Sequence, residues 1–176
     1  MQSNRRVKFL AASMTYKAFI GTFQKQANTL SYEKGLAMAI LLCQKLLPDY
    51  NAFSVAHQWG DPPTLEEALQ SCRSSQTRNT TKEEIDPLFQ RLYSVTPDTE
   101  DFGGYDGSYA LNAAAALLHA LQYISGKDPK DIFAIGTLYT DTIDVKLHEM
   151  DIDDENDIDN HVLMQEARQL VLQLSQ

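Results

Sequence analysis

Residues 108–124, SYALNAAAALLHALQYI, constrain the fold of this chain more than any other stretch. They include four consecutive alanines and four leucines, with no charged residue. Ala and Leu are the best helix formers, so a helix is predicted over 108–125. Leu111, Ala114, Leu118, Leu121 and Ile124 form one apolar stripe, and Ala113, Ala116 and Ala120 form a second of very small side chains. A helix that is apolar around most of its circumference belongs in the middle of a bundle, and a small-residue face lets a neighbour approach closely. The stretch is too short to be a membrane span.

The other segments are read as helices around this one. The 8 glycines and 6 prolines fall mostly between periodic stretches rather than inside them, and no stretch reads as a strand. A chain of 176 residues is long enough to bury a core without metals or disulfides. The expectation is an all-α, single-domain bundle of about seven helices, joined mostly by short connections.

A first helix is predicted over 7–27, with a break near 13–15 and with Phe9, Phe19 and Phe23 inward. Ser31 caps a second helix, whose core positions are Leu36, Ala37, Ile40, Leu41, Cys43 and Leu47. Pro48 is expected to kink or stop it, leaving a short helix over 49–58 at an angle. Thr64 and Glu67 have capping-box spacing, placing the third helix start at Leu65. Thr80-Thr81 with Glu83-Glu84 offers a second such box, with Pro87 assigned to the first turn. Asp106 or Ser108 is read as the cap of the central helix, and Gly126 as the left-handed residue that ends it. Asp128-Pro129 opens a helix to about Met150, buried through Ile132, Ile135, Gly136, Tyr139, Ile143, Leu147 and Met150. The last helix uses Ile158, Val162, Leu163, Ala167, Leu170, Val171 and Leu174.

The net charge of −9 is unevenly spread. Residues 1–34 carry six Lys/Arg and one acid, a net +5; residues 128–176 carry three and twelve, a net −9. The plain expectation is that the basic first segment packs beside the acidic last one. An acidic total disfavours nucleic acid and anionic membranes as partners. The opening MQSNRRVKFLAASM resembles an export signal, but its apolar run is minimal and Tyr16-Lys17 follow at once, so a cytoplasmic location is expected. Cys43 and Cys72 lie among apolar positions and are read as structural thiols in a reducing compartment.

Few residues point to chemistry. Asp151, Asp153, Glu155, Asp157 and Asp159 alternate as the ligands of a calcium loop do, which makes the first four weak metal candidates. Asn156 and Val162 stand where that loop needs its turn glycine and its bidentate glutamate, so no metal and no other cofactor is expected. The glycines of Phe102-Gly-Gly-Tyr-Asp-Gly-Ser108 precede a helix start, as in an anion cradle. No lysine accompanies them and four acids crowd them, so a turn and a cap explain them. None of the four histidines has a metal spacing such as HExxH. Asn112, His119 and Tyr123 make a polar strip on the central helix; the strip is read as hydrogen-bonded inside the bundle, with a ligand pocket as the alternative.

Two stretches, residues 41–53 (LLCQKLLPDYNAF) and Thr96-Pro-Asp98 through Phe102 leading into Ala110-Leu-Asn-Ala113-Ala114, resemble the bacterial YjaG-like proteins. These form the domain-of-unknown-function family numbered 416. The amphipathic helix over 131–150 is similar too, and the likeness spans about residues 31–150. It implies a compact all-α fold in a bacterial cytoplasmic protein, and it implies no activity and no site residues. The chain departs from the family pattern at Gly103, Gly104 and Gly107 and in the acidic loop.

The function expected from these features is a binding or regulatory module that acts through its helical surface without catalysis. Its partner would be a second copy of itself or a basic protein. The alternative is a small-molecule binder or enzyme using Asn112, His119 and Tyr123.

Overall fold

The computed structural model describes residues 14–176, which form eight helices. These are α1 (Tyr16–Ala27), α2 (Tyr32–His57), α3 (Pro62–Ser74), α4 (Lys82–Ser94), α5 (Tyr105–Gly126), α6 (Pro129–Glu149), α7 (Glu155–Asn160) and α8 (Val162–Leu174). No strand occurs among the described residues. The part of the first predicted helix before residue 14, with Phe9, lies outside them.

The central position of α5 follows from its composition. Ala110, Ala113, Ala114, Ala116, Leu117, Ala120 and Leu121 are all buried, and α5 packs most extensively against α6 and α2, with α3 and α4 also on it. Leu117 is fully buried, whereas Leu111 and Leu118 are only half-buried. The alanines, with a single methyl group each, allow the close approach along their stripe. Its cap is Gly104, not Asp106 or Ser108, and the left-handed residue at its end is Lys127 (φ 54°), one past Gly126.

Pro48 does not stop α2, which runs unbroken from Tyr32 to His57. Proline removes the donor to the carbonyl four residues back, here Gln44, and both Pro48 and Gln44 are on the exposed side. Leu46, Leu47, Tyr50 and Phe53, on both sides of the proline, enter the same core and hold the helix continuous. Ala37, expected inside, is exposed. Tyr50 is fully buried, donates to the Val95 carbonyl (2.6 Å) and accepts from the Asp61 amide (3.2 Å). One phenol thus ties two connections to α2.

The Thr64 capping box does not form. Pro62 and Pro63 take the first two positions of α3, where a missing N–H costs nothing, Asp61 becomes the cap residue, and Thr64 donates to its carboxylate (2.8 Å). The box at Thr81 and Glu84 does form, with Glu84 also holding Arg78 at 2.9 Å. Pro87 sits in the second turn of α4, on the exposed side, rather than in the first.

The predicted last helix is two. His161 breaks it with extended backbone, ending α7 and capping α8 by accepting from the Leu163 amide. The turn leaves Val162 and Leu163 exposed, as Met150 is at the end of α6. Leu147, Ile158 and Met164 make a small second core beneath α7. The helix α1 packs on α6 and α8 of its own chain, with Phe19 and Phe23 fully buried. No described helix is long and apolar enough to cross a membrane.

Candidate functional site

The outer ends of α6, α7 and α8 enclose a cleft of ≈ 380 Å³, with Tyr16 of α1 at its edge. Three of its side chains come from one face of α6. Asp141, Asp144 and His148 are three and four residues apart, the spacing that stacks side chains along a helix. The turn at Asp151 (φ 60°) then reverses the chain and brings Asp153 and Glu155 across from that face. Asp159 of α7 and Arg168 of α8 complete the polar lining, while Ile158 and Met164 give it an apolar patch.

His148 stands between two carboxylates. Its Nδ1 is 2.8 Å from Asp153 Oδ1, and its Nε2 is 3.5 Å from Asp144 Oδ2. The hydrogen bond with Asp153, more than anything else, raises its pKa above the ordinary histidine value. Among the described residues no Lys, Arg or His pairs with Asp141. Crowding by the cleft walls, and then the charge of Asp144, push its carboxyl up to about 6, although part of the side chain stays open to solvent.

Arg168 lies deeper, with 2% of its surface exposed. It pairs with Asp159 at 2.7 Å and donates to the Met14 carbonyl, and the Tyr16 amide also reaches Asp159 (3.4 Å). Its Nε is buried with no partner among the described residues. Among the described residues five carboxylates therefore line the cleft against one arginine, already engaged, and one histidine. A second cleft, lined by Gly103, Gly104, Tyr105 and Ser108, shares His148 and Asp153 with it.

The acidic stretch singled out in the sequence is divided by this geometry. Asp153 and Glu155 face the cleft, Asp151 makes the turn, and Asp157 lies exposed in the first turn of α7. Among the described residues no group of three or more His, Cys, Asp or Glu is arranged to hold a metal ion. Asp141, Asp144 and Arg168 carried no local signal, because each looks like an ordinary helix-surface residue until α7 folds back over α6.

The polar strip of α5 turns towards three separate neighbours. Asn112 donates to Thr142 Oγ1 on α6 (3.1 Å), and His119 Nδ1 lies 2.9 Å from Asp131 Oδ1 at the start of α6. Tyr123 is buried and stacks on Tyr32 at 5.5 Å. These contacts do not converge on one space. A different histidine holds the glycine-rich turn: His57 Nε2 is 2.6 Å from Asp106 Oδ2, and that bond keeps the Asp106 carboxyl below its usual range. His57 also packs against Phe53 and Phe102 (4.6 and 5.3 Å between ring centres). Both thiols are buried, and burial pushes Cys72 up to about 12 and Cys43 well above the ordinary thiol value, which leaves neither poised as a nucleophile.

Residues 22–176 match the model of a family described as "Protein of unknown function (DUF416)". The crystal structure of a DUF416 family protein from Shewanella baltica OS155 superposes with a TM-score of 0.77 at 31% identity, covering 87% of this chain and 82% of that one. No curated protein matches the chain.

Proposed function

The chain belongs to the DUF416 family, a family of unknown function, and from the chemistry of its acidic cleft we propose a non-catalytic binding module that takes a basic segment of a partner protein. The observation that carries this reading is the convergence of Asp141, Asp144, Asp153, Glu155 and Asp159 on one cleft. Isolated surface charges are worth little, but several of one sign in a concave site focus their field and steer an oppositely charged partner. The exposed ring of Tyr16 at the cleft edge offers apolar surface to the aliphatic stems of lysine or arginine. Such complementarity sets association rate and choice of partner more than raw affinity. Asn112, His119 and Tyr123 are assigned to helix packing within one cooperative domain.

A fluorescent deca-lysine peptide tests the reading by titration at low and moderate salt. Asp141→Asn with Asp144→Asn is expected to weaken binding by about tenfold, the effect of ~1.4 kcal/mol. The charge-matched pair Glu100→Gln with Asp101→Asn, in an exposed connection that does not line the cleft, should change it less than about twofold. Equal weakening by both pairs would mean that the peptide responds to net charge alone, and the reading would fall.

A further inference from the structure

We infer that the partner's basic segment carries an aromatic residue a few positions from its cations, and that this residue docks in the second cleft. The inference rests on the reading of the acidic cleft as a site for basic polypeptide. The two clefts adjoin, because His148 and Asp153, hydrogen-bonded at 2.8 Å, line both of them. A polypeptide that leaves the carboxylates past this pair enters the second cleft directly. Its volume of ≈ 520 Å³ lies within the roughly 300–1,000 Å³ of ligand-sized sites.

The chemistry of the two clefts differs. The second has a single carboxylate, Asp153, already bonded to His148, and no lysine or arginine among its described lining. It also sits at the start of α5, the positive end of that helix's dipole. A second cation is therefore disfavoured there. The remaining walls suit a flat apolar ring: the half-buried Val145 of α6, the Tyr105 ring (47% exposed) and the bare main chain of Gly103 and Gly104. A ring gains both buried area and stacking against another ring, and large aromatic side chains are the common anchors of protein interfaces. Packing does not require glycine at 103, where a Cβ would meet nothing nearer than the Thr99 carbonyl at 3.8 Å. At Gly107 it does, because a Cβ there would overlap the Phe102 carbonyl. Within one glycine-rich turn, Gly107 serves the fold and Gly103 leaves main chain open to the partner.

The test uses the full chain and two fluorescent peptides of equal charge. One has six lysines flanked at each end by Gly-Gly-Trp, and the other has Ser in place of each Trp. Two glycines and the ring's own residue span roughly 10 Å, which lets a ring enter the adjoining cleft in either direction of the chain. The tryptophan peptide is expected to bind the unaltered protein about tenfold tighter than the serine peptide. Tyr105→Ser with Val145→Thr should cut that gain to less than about twofold, and Tyr105→Ser alone to about threefold. Tyr93→Ser, at an exposed tyrosine that lines neither cleft, should leave the gain at about tenfold. No gain in the unaltered protein, an undiminished gain in Tyr105→Ser, or an equal loss in Tyr93→Ser overturns the inference. The binding-module reading then still stands if the Asp141/Asp144 pair weakens deca-lysine, and falls separately if it does not.

Discussion

Phe23 on α1 presses its ring against the backbone of α6 at Gly136, where a β-carbon would lie 2.4 Å from ring carbons Cε1 and Cζ. The ring is fully buried and stacks between Phe19 (5.8 Å) and Phe133 (5.3 Å), so it has no room to retreat. Val171 of α8 is 3.2 Å from the same point. Three helices therefore meet at a position where one hydrogen replaces a methyl group.

Gly136→Ala is expected to destabilise the protein by about 1–3 kcal/mol, the usual effect of overpacking. Gly21→Ala should do the reverse. Gly21 is exposed on α1 with nothing within 4 Å of its added carbon, so only the helix preference of Ala over Gly remains, about 0.5–1 kcal/mol. Urea unfolding midpoints with unchanged slopes measure both; shifts of the same sign would mean that α1 does not dock on α6 in this way.

Ala114→Asp is expected to cost several kcal/mol, because Ala114 has no exposed surface and a carboxylate there has no partner. Asp153→Asn removes one member of an exposed pair with His148 and should shift stability by less than about 0.5 kcal/mol. Similar urea midpoints for the two variants would contradict the position of the core.

Asp141 gives stability a pH dependence with a definite sign. Its folded-state pKa, about 6, lies above the ordinary 3.8, so the folded state holds the proton more tightly than the unfolded one. Stability contributed by this group is greatest in acid and falls as pH rises from about 4 to about 6. Asp141→Asn should therefore stabilise the protein at pH 8 by on the order of 1 kcal/mol, solvent screening having reduced the full effect, and hardly at all at pH 4. Chemical denaturation at the two pH values decides; a gain that is the same at both would remove Asp141 from the account.

Phe19 and Phe23 are buried within their own chain, and α1 covers α6 and α8 without a second copy. Light scattering at micromolar concentration is expected to give a mass near 19.8 kDa, with a single unfolding transition as for one cooperative domain. Twice that mass would mean that a second copy of the chain is the partner, in a twofold pair with a self-complementary surface.

Local physics was legible in the sequence. Ser31, Thr81 and Asp128 announced helix starts because a cap satisfies backbone donors two or three residues away. The alanines and leucines of α5 announced a central helix because they make it apolar around most of its circumference. Where local rules competed, tertiary packing chose. Leu46 to Phe53, buried together, carried α2 through Pro48, and Pro62-Pro63 took the start of α3 from Thr64.

The cleft had no such local signature. Asp153 and Glu155 stood out only as part of an acidic run, and nothing near Asp141, Asp144 or Arg168 in the chain marks them. They face one another because the turn at Asp151 folds α7 back over α6 and His161 redirects α8. The sequence by itself determined the all-helical class and the helix starts at Ser31, Thr81 and Asp128, since capping and periodicity act within about four residues. Tertiary structure alone decided which charges meet, since that depends on the crossing of helices whose contacts are spread along the chain.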